Sequence, residues 1–311
     1  MTQPEILPVS IVIPTFQREQ VLLDTVKCLL RQSCLPAEIL LVDQSPEHEQ
    51  KTTDQLSDWD RQGQIKWVRL PRPSIPVAMN TGLKIATGPI VLFLDDDIEA
   101  GRELITAHLE CHANHGEASA VVGQVLQPGQ EPISLANSFP RSGLRADLKF
   151  PFNCNESKWV SNVIACNFSV KRNLALGVGG FDENFSGVAF RFETDFARRL
   201  INSGGRVLFC PKATIRHLQF RSGGTRSEGS HLTSASARHG MGDYYFAFLH
   251  GRGVEGWLYS VVRLFREVGT RFHLRHPWWI PVKLLGEIRA IALARQMFRQ
   301  GPRHVSADPA T

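Results

Sequence analysis

The chain is most informative first for what it lacks. None of its 6 cysteines forms a CxxC pair, which removes the usual thiolate metal and dithiol redox motifs. No apolar run approaches the ~18 residues needed to cross a bilayer. No glycine run follows the first apolar stretch, where PTFQREQ stands instead, so a glycine-rich phosphate cradle is excluded there. The N-terminal MTQPEILPVS has neither a charged start nor a long apolar core, so no secretory leader is visible. Reduced thiols and a cytoplasmic location are the resulting expectation, and the even cysteine count is not read as a disulfide framework.

What is present is ordinary globular material, 311 residues with 42% hydrophobic and 21% charged. The net charge of +5 favours anionic partners. The excess is uneven. From Gly251 onward there are ten cations, Arg252, Arg263, Arg266, Arg271, Arg275, Lys283, Arg289, Arg295, Arg299 and Arg303, against four acids. These cations follow no recognised nucleic-acid motif, so no nucleic-acid partner is expected.

Short apolar runs alternate with helical patterns through the first hundred residues. VSIVIPTF, EILLVDQS, IKWVRL and PIVLFLDDD read as strands. The stretches around Val21–Leu30, TTDQLSDWDRQG and PVAMNTGLKIATG read as helices. This predicts right-handed β-α-β units, a mostly parallel sheet with helices on both faces, and ligands at the strands' carboxyl ends. Thr15, Asp43 and Asp95–Asp97 then share one rim. Further on, ASAVVGQVL and WVSNVIACNFSVKR read as strands, ETDFARRLINSGG as a helix, and RVLFCPKATIRHL as a strand pair. Residues 218–240 read as a mobile loop, either a connector or a lid over a bound ligand. The tail beyond Asp243 reads as amphipathic helix broken at HPWWIPVK, with its last ten or so residues disordered.

Three adjacent carboxylates after a buried strand suit a hard cation such as Mg²⁺ or Mn²⁺, whose remaining positions go to phosphate. Strand alternation points Asp95 and Asp97 one way and Asp96 the other. Asp43 ends another strand and His217 a third. Glu193 and Asp195 open a helix where either could serve as a general base. HLECHANH places His108, Cys111, His112 and His115 along one helix face. One face wraps a tetrahedral metal poorly, so surface packing is expected there.

The ordered series VSIVIPTFQR, ILLVDQS, AMNTGLKIATGPIVLFLDDD, ACNFSVKR, GGFDENF and FETDFARRL resembles glycosyltransferase family 2 over about residues 7–225. The resemblance implies a GT-A fold with a Rossmann-like nucleotide-binding half over residues 1–225, and leaves residues 226–311 as a loop and helical extension. It implies an inverting, metal-dependent transferase using Mn²⁺ or Mg²⁺. The donor would be a nucleotide-diphosphate sugar, a UDP-sugar first, and the acceptor a glycan or lipid-linked hydroxyl in cell-surface polysaccharide or glycolipid synthesis. By position, Pro14, Thr15 and Arg18 match the nucleotide loop, Asp43 the base reader and Asn80 a nucleotide neighbour. Asp95 and Asp96 match the ribose and phosphate side. Asp97, with Asp95 and His217, matches the metal site, and Asn167 the acceptor side. Glu193, ahead of Asp195, matches the catalytic base.

Two departures stand out. Met79 replaces an arginine that binds diphosphate in many relatives, for which Arg69, Arg72, Arg221 or Arg226 could substitute. FETD replaces EDxD. Both leave room for a non-catalytic, nucleotide-binding subunit. A nucleotidyltransferase is disfavoured by the missing glycine run. The tail's mixture of Arg with Trp, Phe and Leu reads either as a helical cap or as an interfacial element on an anionic inner leaflet.

Overall fold

The computed structural model describes residues 5–135, 143–225 and 230–306. The order is β1 (Ile6–Thr15), α1 (Gln20–Leu29), β2 (Leu35–Asp43), α2 (Gln50–Arg61), β3 (Lys66–Arg69), α3 (Ile75–Ile85), β4 (Ile90–Leu94), β5 (Ile98–Ala100), α4 (Leu104–Asn114) and β6 (Ala120–Leu126). There follow β7 (Lys158–Val160), β8 (Asn167–Lys171), α5 (Arg172–Gly177), α6 (Phe192–Asn202), β9 (Val207–His217), α7 (Met241–His250), α8 (Glu255–Val268), α9 (Arg271–Arg275) and α10 (Ile280–Gln300).

The sheet order is β3-β2-β1-β4-β8-β6-β9-β5, with β7 beside β9. The predicted parallel run is β3-β2-β1-β4. Beyond it the sheet is mixed, because β8 enters antiparallel to both β4 and β6. RVLFCPKATIRHL forms one strand, not two. The register slips between Gly123 and Gln124 of β6, opposite the stretch of β9 holding Pro211, which has no N–H to give the ladder.

Alternation along the strands feeds two cores. Val12, Leu40, Val42, Val91 and Phe93 face one side with α3 and α6. Ile11, Ile13, Leu41, Leu92 and Leu94 face the other, with α1, α2 and α4. The first core also takes in Tyr244, Tyr245, Phe246, Ala290 and Ala294. The C-terminal helices therefore complete the body of the protein, and the boundary expected at 225/226 does not divide its core. A buried ionic cluster fastens them. Asp243 accepts from Arg191 Nε (2.9 Å) and Arg263 Nε (2.7 Å). Glu287 meets Arg263, Lys283 (2.8 Å) and the Tyr244 hydroxyl (2.7 Å). Residues 301–306, expected to be disordered, are docked: Val305 N donates to Gly179 O (3.0 Å) and Arg303 N to Asp182 Oδ1 (2.8 Å). Residues 307–311 lie outside the described residues.

Two expectations about α4 are corrected. Cys111 on α4 and Cys210 on β9 are joined as a disulfide, because α4 packs directly across β9. His108 and His112 are buried, not surface-packed. His108 bridges Ser169 Oγ and Asn167 Oδ1, each at 2.9 Å, and His112 Nε2 lies 3.0 Å from Ser169 Oγ. Burial pushes His108 down to about 4 and His112 down to about 3. Below the ordinary histidine value of about 6.5 the unfolded chain takes up protons that the folded one refuses, so each group loses stability as pH falls through that window. The wild type is expected to lose more thermal stability between about pH 7 and pH 5 than a His108→Gln, His112→Gln variant. Parallel curves from calorimetry would contradict this.

Candidate functional site

The carboxyl ends of β1 and β4 open into a cavity of about 440 Å³. Eight of the expected site residues line it: Pro14, Thr15, Arg18, Asp95, Asp96, Asp97, Glu193 and His217. The strand β4 ends at Leu94, so the three aspartates lie in the turn to β5. They nevertheless divide by face as alternation predicts. Asp96 accepts from Thr15 Oγ1 (2.7 Å) and Arg18 Nε (3.2 Å). Asp97 and Asp95 turn the other way, with Oδ1 and Oδ2 at 3.2 and 3.5 Å from His217 Nε2. Burial pushes Asp96 up to about 7, against the pull of Arg18 and Thr15. Burial also pushes Asp97 up, but His217, the Phe220 amide and Arg18 outweigh it and hold Asp97 below the usual carboxylate range.

β5 pairs with β9 through Ile98 and His217, which sets the imidazole over the triplet. His217 Nδ1 lies 3.1 Å from Gln127 Oε1. An amide oxygen only accepts, so Nδ1 carries the proton and Nε2 faces the carboxylates. An imidazole nitrogen facing two carboxylates at this range needs a proton or a cation between them. The donor set therefore fits a divalent ion. Cys166 adds a thiol, since one ligand atom each of Asp95, Cys166 and His217 lies within 4.8 Å of the others. Cys166 was not among the expected site residues, although it stands immediately before the first residue of β8, at the rim.

Arg18 ties the rim to the 218–225 segment. Its guanidinium donates to Phe220 O (2.8 Å) and to Ser222 O, and sits 3.4 Å from Asp97 Oδ2. Phe220 N donates to the same Asp97 oxygen (2.8 Å). The segment thus folds over the cavity, and Arg221 lines it. Of the four arginines considered in place of Met79, Arg221 stands in the cavity. Arg69 is engaged with Ser45 O and Pro46 O, and Arg226 lies outside the described residues. Met79 itself is buried in the core.

Glu193 stands on the first turn of α6 and lines the cavity. The approach to α6 is unusual: Ala189 and Arg191 hold left-handed backbone, φ 48° and 74°, a conformation that costs on the order of 1 kcal/mol or more for residues with a Cβ. The Arg191–Asp243 ion pair holds that turn in place.

Four expected residues do not line the cavity and are bonded within the fold. Asp195 is buried and accepts from His250 Nε2 (2.8 Å) and from Arg199 Nε and Nη2 (2.9 and 2.8 Å). Burial pushes its carboxyl up, but His250 and Arg199 hold it low. Asp43 spends Oδ2 on His48 and Trp67 Nε1, each at 3.0 Å, and Oδ1 on the Ser45 amide. Its neighbour Gln44 faces the cavity instead. Asn80 staples α3 to Phe181, accepting from its N–H (2.8 Å) and donating to its carbonyl (2.9 Å). Asn167 is fully buried and donates to Gln124 O and Ala213 O (3.0 and 2.8 Å). β8 turns it toward β6 and β9, and it does not line the cavity.

A family model described as glycosyl transferase family 2 matches residues 10–175, more than half of the chain. Over 208 residues the chain is 27% identical to a validoxylamine A glucosyltransferase of Streptomyces hygroscopicus subsp. limoneus, covering 57% of this chain but only 44% of that one. Over 231 residues it is 26% identical to a glucosyl-dolichyl phosphate glucuronosyltransferase of Haloferax volcanii, covering 69% and 70%. Among solved structures, S. aureus TarS 1-349 superposes with TM-score 0.58 at 14% identity, over 92% of this chain and 81% of that one. A mannosyltransferase from Pyrobaculum calidifontis, in complex with GDP-Man and Mn²⁺, gives 0.53 at 17% identity, over 94% and 77%. Those likenesses are of fold, and the fold is GT-A. With its ordered rim motifs and its sheet in agreement, the chain belongs to glycosyl transferase family 2.

Proposed function

We propose that the protein transfers a sugar from a nucleotide-diphosphate donor, a UDP-sugar by first expectation, to a hydroxyl of a glycan or lipid-linked acceptor, with inversion. The observation that carries this is the meeting of Asp95, Asp97, His217 and Glu193 around one cavity at the carboxyl rim. Thr15, Gln44 and Arg18 border the nucleotide side and Arg221 offers charge to a diphosphate. Glu193 takes the proton from the attacking acceptor hydroxyl, and inversion follows from attack opposite the leaving group. A divalent cation, Mn²⁺ or Mg²⁺, held by Asp97, Asp95 and His217 would neutralise charge on the leaving diphosphate. The acceptor class and the pathway, cell-surface polysaccharide or glycolipid synthesis, draw support from two relatives. One is the dolichyl phosphate enzyme, and the other is a succinoglycan biosynthesis protein of Rhizobium meliloti, 29% identical over 155 residues. We place the reaction in the cytoplasm, at the inner face of the membrane. No helix among the described residues is long and apolar enough to cross one.

A panel of sugar nucleotides screened by thermal shift with Mn²⁺ tests this. The correct donor is expected to raise Tm, by about 2.7 kcal/mol of stabilisation at a hundredfold excess over Kd. Asp97→Asn, which keeps the size of the side chain and an oxygen for the Phe220 amide, is expected to remove the Mn²⁺-dependent part of the shift, read against that variant's own ligand-free Tm. No shift with any donor would overturn the reading. A shift without transfer to any acceptor would favour the non-catalytic subunit.

A further inference from the structure

The C-terminal helices carry an apolar face that none of the described residues covers. Val254 is 71% exposed, Leu258 61%, Val261 49%, Val262 53% and Phe265 71%. These positions follow one stripe of α8, opposite the buried Gly256, Tyr259, Ser260 and Arg263. Leu274, Trp278, Leu285 and Ile288 extend the exposed apolar surface along α9 and α10. A patch this large marks an interaction surface.

Its charge selects the partner. Arg252, Arg266, Arg271, Arg275, Arg289, Arg295 and Arg299 are exposed around it. The acids of the same helices are engaged. Glu255 accepts from the Leu144 and Arg252 amides, Glu267 pairs with Arg266, and Glu287 is buried with Arg263 and Lys283. A second copy of the chain would bring the same cationic rim and be repelled. An anionic surface is attracted.

Beside the stripe, α7, α8 and α10 enclose a cavity of about 350 Å³. Its walls are Phe248, Trp257 and Phe298, and Arg295 and Arg299 stand at it. The Arg295 guanidinium stacks over Trp257 at 5.4 Å, and Phe248 packs on Trp257 at 5.2 Å. Aromatic walls with two guanidiniums suit a phosphate carried on an apolar body. Trp257 belongs to both features, since it lies one helical turn before Val261.

We infer that this cavity is a headgroup site for an anionic phospholipid, and that the exposed face of α8 enters the bilayer beside it. The inference rests on the membrane placement proposed above and adds lipid selectivity to it. The full chain, floated with vesicles of phosphatidylcholine alone or mixed with phosphatidylglycerol, tests it. Strong binding to the phosphatidylglycerol vesicles is expected. Arg295→Glu with Arg299→Glu is expected to weaken that binding by roughly 30-fold or more, two surface arginines counting about 1 kcal/mol each. Leu258→Asp with Phe265→Asp is expected to abolish binding to either vesicle. All four side chains are exposed, and an unchanged Tm confirms that the variants fold. Equal binding to both vesicle types, or no effect of the arginine pair, would overturn the headgroup site while sparing the membrane placement. No binding to any vesicle would sink both. Self-association without vesicle binding would also overturn the inference, by assigning the face to a second copy.

Discussion

Replacing Glu193 by Gln is expected to slow sugar transfer by about 10²- to 10⁴-fold, the range a positioned general base contributes. Donor binding and Tm are expected to stay at the wild-type level. Glutamine keeps the length and hydrogen-bonding shape of the side chain and loses only the ability to take a proton. Glu193 is the acid of α6 that lines the cavity. It sits on the first turn of the helix, at the end of α6 that faces the rim. The readout is kcat at saturating donor, with donor affinity measured separately. Wild-type kcat in the Glu193→Gln protein would remove Glu193 from this role.

Asp195 is expected to behave in the opposite way, though only two residues separate them. Asp195→Ala should cost about 3–5 kcal/mol of stability, the usual penalty for breaking a buried ion pair from one side. It would strand Arg199, and it would release His250, through which α6 holds α7. Thermal or chemical denaturation measures this directly. Whatever Asp195→Ala protein remains folded should retain Glu193 and turn over. A stable Asp195→Ala protein that had lost all transfer would exchange the two roles.

Much of the fold was legible because buried parallel strands have a plain signature. VSIVIP, ILLVD and IVLFL are continuous apolar runs, the first two followed by helical patterns, and they form β1, β2 and β4 in the predicted order. The aspartates' separate partners, Thr15 for Asp96 and His217 for Asp95 and Asp97, agree with the division read from the sequence, although Arg18 reaches both Asp96 and Asp97. What failed was the step from a motif residue to its surroundings. Asn80, Asn167 and Asp43 stand in rim motifs, but each has its polar atoms satisfied inside the protein, the two asparagines by partners far away in sequence and Asp43 by Ser45 and His48 nearby as well as by Trp67. Asn80 bonds Phe181 and Asn167 bonds Ala213. Asp43 bonds Trp67 across two strands. The Cys111–Cys210 disulfide spans 99 residues and exists only because α4 crosses β9. His108 and His112 were misjudged because helical spacing says which residues share a face, not what that face meets. Gln127 and Cys166 come to the site from strand ends whose pairing the sequence pattern left open.

The proposed chemistry requires one cavity to hold a nucleotide sugar between the aspartate turn and Glu193. The most direct test follows the anomeric signal by NMR while the full chain, with Mn²⁺, its best-binding sugar nucleotide and a hydroxyl acceptor, is allowed to react. The expected product has the opposite anomeric configuration to the donor, and it forms at a rate that collapses in Glu193→Gln. A retained configuration, or equal rates from the two proteins, would contradict the account.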